Sequence, residues 1–318
     1  MKVASLRSRM GALRDRWLLA GLPSRTARLD ESMDDLKAQL AQLALAQRLP
    51  DAEPDLRVFS QWGEDGILAA LIDQLRGIPR TFVEIGVEDY RECNTRLLAR
   101  TGWTGLAIDG DQVAVSHAQT LREVWSGAVR VVGAWLEPST VDAVVTGAGV
   151  RGEIGVLSID VDGIDLYLLD ALTGVDPWIV VIEYNARYGP RDAVTVPYRA
   201  GFDRRVEHFS WLHHGVSLAG VEVWGAARGY DLVAVNREGT NAFLVKSSRR
   251  PDGLPARSAP DLWRPLRFSE NHGEDGAHRP ISFDDERRIV AALPKVDVRE
   301  LLTPDRTAAA LEPADPRG

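Results

Sequence analysis

Seven short apolar runs mark the middle of this chain, and most are separated by segments of helical period. "TFVEIGV" (81–87), "TGLAIDG" (104–110), "VRVVGAWL" (129–136), "IGVLSID" (154–160) and "WIVVIEYN" (178–185) come first, and "YDLVAVN" (230–236) and "NAFLVK" (241–246) close the series. Between them "EDGILAALIDQLRG", "RECNTRLLART", 111–126, "IDLYLLDALTG" and 216–229 read as helices, with Gly77 and Gly174 closing the first and the fourth. Strands apolar on both faces and divided by helices predict a parallel sheet covered on both sides. Only "REGT" joins the last two strands, too little for a crossover helix, so that hairpin is expected to be antiparallel. The expected fold class is α/β: a seven-stranded, mostly parallel sheet with a late antiparallel hairpin.

The flanks carry a different pattern. Leu6, Met10, Leu13 and Trp17 recur at helical spacing among arginines, and Leu36, Leu40, Leu43 and Leu45 follow behind Asp30 and Ser32 as caps. A basic amphipathic helix can lie on an acidic membrane surface. Packing on the body or on another subunit is the expected role, which implies a homo-oligomer. Beyond 247 prolines concentrate; "SSRRPDGLPARSAP" reads as an extended arm and "SFDDERRIVAALPKV" as a short helix capped by Ser282. The expected division is 1–55 as a helical extension, 56–248 as the main domain, and 249–318 as a partly ordered C-terminal extension.

Composition narrows the partners. The net charge is −8, and an acidic chain is a poor match for nucleic acid, whose affinity rests on Lys and Arg at phosphate. No run of about 18 apolar residues exists, so no membrane span is expected, and the basic N-terminus lacks the apolar core of a signal peptide. The single cysteine, Cys93, permits no intrachain disulfide; a buried thiol and a cytoplasmic setting are expected.

Candidate chemistry gathers at the strand ends. Glu84, Asp109, Asp160 and Glu183 each fall at or near the carboxyl end of an expected strand, where open parallel sheets bind ligands. The first turn, "GVEDY", holds Gly86 but lacks the G-x-G-x-x-G cradle of a dinucleotide pyrophosphate, and its acids would repel phosphate. S-adenosylmethionine instead brings an ammonium and a sulfonium to that loop. Asp109 suits the ribose hydroxyls.

"SQWGEDGIL", "FVEIGVEDYRECNTRLLARTGWTGLAIDGD", "LSIDVDGIDLYLLDAL", "IVVIEYN" and "GTNAFLV", in that order, resemble the FkbM-like family of S-adenosylmethionine-dependent O-methyltransferases. The resemblance covers about residues 59–246. It implies a Rossmann-like class I methyltransferase fold and methyl transfer to a hydroxyl, often on a carbohydrate. Ser60, Gln61, Glu84, Gly86, Tyr90 and Asn94, with Asp109, Gly110 and Trp135, are the expected cofactor-binding residues. Tyr90 stands where the family pattern has glycine, so its phenol would either narrow the pocket, bond the ligand or block the site.

A neutral hydroxyl is a poor nucleophile and needs a general base or a divalent metal. Asp160, Glu183 and Asn185 are expected to hold Mg²⁺, since carboxylates and an amide oxygen are hard ligands. Asp162, His213 or His214 is expected to take the proton. Asp162 and Asp165 would equally well cap the following helix. The polar, aromatic tract 183–205 reads as an acceptor-binding lid. The residues leave two rival readings open. A metal-dependent glycosyltransferase would use the D-x-D of Asp160-Val161-Asp162, and a non-catalytic scaffold would follow if Tyr90 closed the site.

Overall fold

The computed structural model describes residues 29–43 and 56–303, and the chain divides into two compact units, Met1–Ala52 and Glu53–Gly318. In the first unit, residues 29–43 form helix α1, with Ala38 and Ala41 buried and Leu36, Leu40 and Leu43 exposed. Asp30 and Ser32 lie inside this helix rather than capping it. The amphipathic segment with Leu6, Met10, Leu13 and Trp17, Leu45, and the last residues after 303 fall outside the described residues.

The second unit opens with α2 (Glu64–Gln74), β1 (Thr81–Ile85), α3 (Arg96–Arg100) and β2 (Thr104–Asp109). Next come α4 (Gln112–Ala118), α5 (Arg122–Trp125), β3 (Val129–Gly133), α6 (Val141–Gly147), β4 (Gly152–Ile159) and α7 (Asp165–Ala171). β5 (Val175–Glu183) is followed by β6 (Val194–Thr195), α8 (Arg204–Glu207), α9 (Leu218–Arg228), β7 (Tyr230–Val235) and β8 (Asn241–Lys246). The last elements are α10 (Ala259–Leu262), α11 (Phe283–Ala291), β9 (Val296–Asp297) and α12 (Val298–Leu301).

The sheet runs β3-β2-β1-β4-β5-β8-β7. β1 to β5 are parallel, and β8 is antiparallel to both β5 and β7. This is the expected seven-stranded, mostly parallel α/β sheet with its late antiparallel hairpin. Strand alternation sends the two sides of each strand into separate cores. Val83, Ile85, Leu106, Ile108, Val180 and Ile182 pack on one face, and Phe82, Ala107, Val156, Ile179, Val181 and Phe243 on the other. The switch in strand order lies between β1 and β4, so their carboxyl ends open a crevice there.

Several boundaries differ from the sequence reading. The stretch 91–101 is helical only over Arg96–Arg100, because the Glu84 carboxylate accepts from Asn94 N (2.8 Å) and Thr95 N (3.0 Å) and holds the preceding turn. The 111–126 segment is two helices, and α6 was not anticipated. Residues 249–303 are woven into the second unit. β9 pairs with β6, Trp263 Nε1 donates to Ala186 O (3.0 Å), and Ala259 N donates to Glu222 (2.9 Å). No helix among the described residues is long and apolar enough to cross a membrane.

Candidate active site

Gly86 follows directly on β1 with φ +82°, and a Cβ there would lie 1.5 Å from the carbonyl oxygen of Asp160, the residue after β4. Only glycine allows the two strand ends to approach so closely. The crevice above them has a volume of about 910 Å³. Its walls carry ten carboxylates, among them Glu88, Asp109, Asp160, Asp162, Glu183 and Glu270, against two arginines, Arg204 and Arg205. That imbalance favours a cationic ligand over a phosphate-bearing one.

Strain concentrates around this opening. Glu88, Tyr90, Asp162 and Trp211 are the non-glycine residues with left-handed backbone among the described residues, and all but Tyr90 line the crevice. Each costs on the order of 1 kcal/mol, and such positions cluster at binding sites. Asp109 ties two loops together: it accepts from Glu88 N and Asp111 N, both at 2.7 Å. Asp165 folds the β4–α7 turn by accepting from Val161 N (2.7 Å) and Gly163 N (3.0 Å), which brings Asp162 to the rim.

Among the residues expected at the cofactor, Gln61, Gly86, Asp109, Gly110 and Trp135 line the crevice. Trp135 lies against Gly110, where a Cβ would meet its ring at 2.8 Å, and its side chain is exposed. Four others are placed in the packing beneath it. Ser60 exchanges hydrogen bonds with Asp65 (Oγ to Oδ2 2.9 Å). Asn94 donates to Ser158 Oγ (3.0 Å). Glu84 accepts from Thr95 Oγ1 as well as the two amides; burial outweighs these donors and raises its carboxyl to about 7. Tyr90 is fully buried in the core, its hydroxyl 3.1 Å from Thr95 Oγ1, so it neither narrows nor blocks the crevice.

The expected metal and proton residues also separate. Asp160 and Glu183 lie together, and burial is the first cause that raises both carboxyls well above the usual range, followed by Glu183 for Asp160 and by Asp162 for Glu183. Asn185 is engaged elsewhere. Its Oδ1 accepts from Arg187 N (3.2 Å) and Nη1 (3.3 Å), and its Nδ2 donates to Leu212 O (3.1 Å) and His214 O (3.0 Å). His213 turns away, Nε2 lying 2.9 Å from Pro294 O. His214 is buried behind Glu183, Nδ1 to Oε2 3.6 Å, and burial, then Arg204, lowers its imidazole to about 4. Neither His214 ring nitrogen nor Glu183 Oε2 has a hydrogen-bond partner.

Sequence reasoning missed Glu270, Trp62 and Phe268. Glu270 comes from the C-terminal segment and joins Arg187 Nη2 (2.8 Å) and Arg204 Nη1 (3.3 Å). Arg204 also bonds Asp162 Oδ1 at 2.7 Å. Trp62 and Phe268 stack at the rim with ring centroids 5.1 Å apart, and Trp211 stacks on His272 at 3.6 Å. Trp62 sat in a quoted motif, but nothing in "RFSENHG" signalled that this segment returns to the site.

No family model matches the chain, and no curated protein matches it either. Among solved structures, the chain is similar to an O-methyltransferase from Bacillus cereus in complex with S-adenosylhomocysteine. The identity is 17% over 67% of this chain and 89% of that one, with a TM-score of 0.39. A putative O-methyltransferase from Klebsiella pneumoniae is similar at 17% identity over 67% and 87%, TM-score 0.39. The N-terminal domain of EvdMO1, with S-adenosylhomocysteine and D-fucose, is similar at 13% identity over 66% and 94%, TM-score 0.36. At these scores the sheet order, not the likeness, carries the fold.

Proposed function

We propose that this chain is an S-adenosylmethionine-dependent O-methyltransferase acting on a hydroxyl of a sugar, polysaccharide or glycosylated metabolite. The observation that carries the reading is the carboxylate-walled crevice at the sheet's switch point, ten acids against two arginines. A nucleotide sugar would bring further negative charge into that field, whereas a sulfonium and an ammonium are stabilised by it. The same charge argument disfavours a D-x-D glycosyltransferase. The ordered resemblance to the FkbM-like family supports a hydroxyl acceptor.

Asp109 is positioned to accept the ribose hydroxyls, Trp135 to cover the adenine, and Glu88 to face the methionyl ammonium. Gly86 keeps the floor free of side-chain bulk. The acceptor lies under the aromatic faces of Trp62, Phe268 and Trp211, with Phe202 and Arg204 of the expected lid closing over it. The acceptor oxygen forms a bond to the methyl carbon while the carbon–sulfur bond breaks and its electron pair stays on sulfur as a neutral thioether. Asp160 takes the hydroxyl proton in its ionised form, and burial, which raises its carboxyl, makes that form more basic than an ordinary aspartate's. Glu183 would help hold a divalent cation, which would supply Lewis-acid activation of the acceptor hydroxyl.

Thermal-shift and calorimetric titration with S-adenosylhomocysteine and with UDP-sugars tests the cofactor class. Binding of the first alone is expected; binding of UDP-sugars alone would overturn the reading. Asp160→Asn is expected to abolish turnover while leaving S-adenosylhomocysteine affinity within a few-fold, and unchanged turnover would remove Asp160 from the mechanism.

A further inference from the structure

The donor atoms of Asp162, Glu183 and His214 all lie within 4.8 Å of one another, running from the crevice rim at Asp162 to the buried His214 behind Glu183. Ligands about 2.1 Å from a shared ion stand up to about 4.2 Å apart, so closing on a cation needs side-chain shifts below about 1 Å. Acids so arranged are common without metal. Two further facts set this group apart.

The first is His214. Its side chain is 2% exposed, and both ring nitrogens lack a hydrogen-bond partner, as does the Glu183 Oε2 that faces Nδ1. Buried polar groups are almost always satisfied, and an imidazole with neither nitrogen hydrogen-bonded, Nε2 standing 4.0 Å from Glu270 Oε2, is costly to fold. Asn185 Nδ2 and the Tyr188 hydroxyl both bond the His214 carbonyl, so the backbone is fixed where the ring faces the carboxylates. The alternative trio of Asp160, Asp165 and Glu183 is less suited, because Asp165 already accepts two backbone amides. The second is Arg204, whose guanidinium bridges Asp162 and Glu270. It sets a positive charge directly on one member of the trio.

We propose that Asp162, Glu183 and His214 form a divalent-cation site that prefers imidazole-accepting metals such as Mn²⁺, Co²⁺ and Zn²⁺ to Mg²⁺, with Arg204 as the competing cation. The ligand chemistry decides the preference: imidazole suits transition metals, whereas Mg²⁺ selects oxygen donors and retained waters. Arg204 holds the acids together until the metal displaces it from Asp162. Asn185 is then a positioning residue that aims His214. This inference rests on the proposed reading only for the metal's purpose, not for its binding.

The test is a titration of the full chain, stripped of metal, with Co²⁺ followed by visible absorption, and with Mn²⁺ and Mg²⁺ by calorimetry. One Co²⁺ per chain with a spectrum unlike the aqueous ion is expected, and Mn²⁺ is expected to bind more tightly than Mg²⁺. His214→Gln is expected to weaken Mn²⁺ and Co²⁺ by about tenfold or more. Arg204→Ala, on a short surface helix, is expected to tighten Mn²⁺ by about tenfold, because a like charge is removed. An unperturbed Co²⁺ spectrum, Mg²⁺ bound as tightly as Mn²⁺, or no gain in Arg204→Ala would overturn the proposal. S-adenosylhomocysteine titrated into the metal-free chain separates the two readings. Its binding without any metal site sinks this inference alone, and a metal site without its binding sinks the methyltransferase reading alone.

Discussion

Arg187 and Glu286 stand 99 residues apart and form a fully buried ion pair, Nε to Oε2 2.7 Å. The other oxygen of Glu286 accepts from Ser269 Oγ (2.6 Å) and Glu270 N (3.0 Å). One carboxylate on α11 therefore anchors the segment that carries Glu270 and Phe268 to the crevice. Removing one partner of a buried pair leaves the other charge unpaired in a dry site and costs roughly 3–5 kcal/mol. Glu286→Ala is expected to lower unfolding free energy by that order in a urea titration. It should also weaken acceptor binding more than S-adenosylhomocysteine binding, since Phe268 loses its anchor. A loss below about 1 kcal/mol would mean that the C-terminal segment is only draped on the body.

Glu270 makes the same connection dependent on pH. Burial by itself raises its carboxyl, but Arg187, His214 and Arg204 outweigh that and hold it at about 2. The ionised form is thus favoured by folding. Its contribution is present above the unfolded value near 4.5 and is lost as pH falls from there toward 2. The shift corresponds to about 3 kcal/mol at neutrality. Glu270→Gln is expected to be less stable than the wild type at pH 7, with the gap narrowing once pH drops below about 4.5. Denaturant titrations at pH 7, 5 and 4 check this, and a gap that stays constant would assign the effect to shape rather than charge.

The strands and their order of appearance were legible because both faces are apolar, and "REGT" alone fixed the sense of the last hairpin. The acids at strand ends were legible for the same reason: a carboxylate such as Asp160 after "IGVLSI" has no packing role to explain it. The sequence could not say which donors of a buried residue are already engaged. Asn185 looks like a ligand in "VIEYN", yet its amide is consumed by Arg187, Leu212 and His214. Glu84 likewise sits at a strand end but caps a turn. Partners brought in over long separations, such as Glu270 beside Arg187, leave no local pattern to read.

Tyr90 separates a core role from a ligand role. Its phenol is fully buried and bonds only Thr95 Oγ1 among the contacts seen, and Thr95 in turn donates to Glu84. Tyr90→Phe removes one neutral hydrogen bond and leaves Thr95 its other partner, so a loss of about 1 kcal/mol is expected. S-adenosylhomocysteine affinity, measured by calorimetry, is expected to stay within about twofold, which is below about 0.5 kcal/mol. A tenfold loss would place the phenol against the ligand after all.

Gly86 and Gly229 allow strain and overlap to be told apart. Both have nearly the same left-handed backbone, φ +82° and +81°. At Gly229, the C-cap of α9, an added Cβ meets nothing within 4 Å, so Gly229→Ala bears only the left-handed penalty of about 1–2 kcal/mol. At Gly86 the same methyl would overlap the Asp160 carbonyl at 1.5 Å, and neither partner is a flexible side chain. β1 and β4 must then part at their carboxyl ends, where Gly86 N bonds Ile108 O (2.9 Å) and Asp160 N bonds Ile85 O (3.0 Å). Gly86→Ala is expected to cost at least about 2 kcal/mol more than Gly229→Ala in thermal or urea unfolding. It should also abolish S-adenosylhomocysteine binding, whereas Gly229→Ala should leave it intact. Equal losses in the two variants would mean that the strand ends yield freely, and the floor of the crevice would no longer depend on glycine.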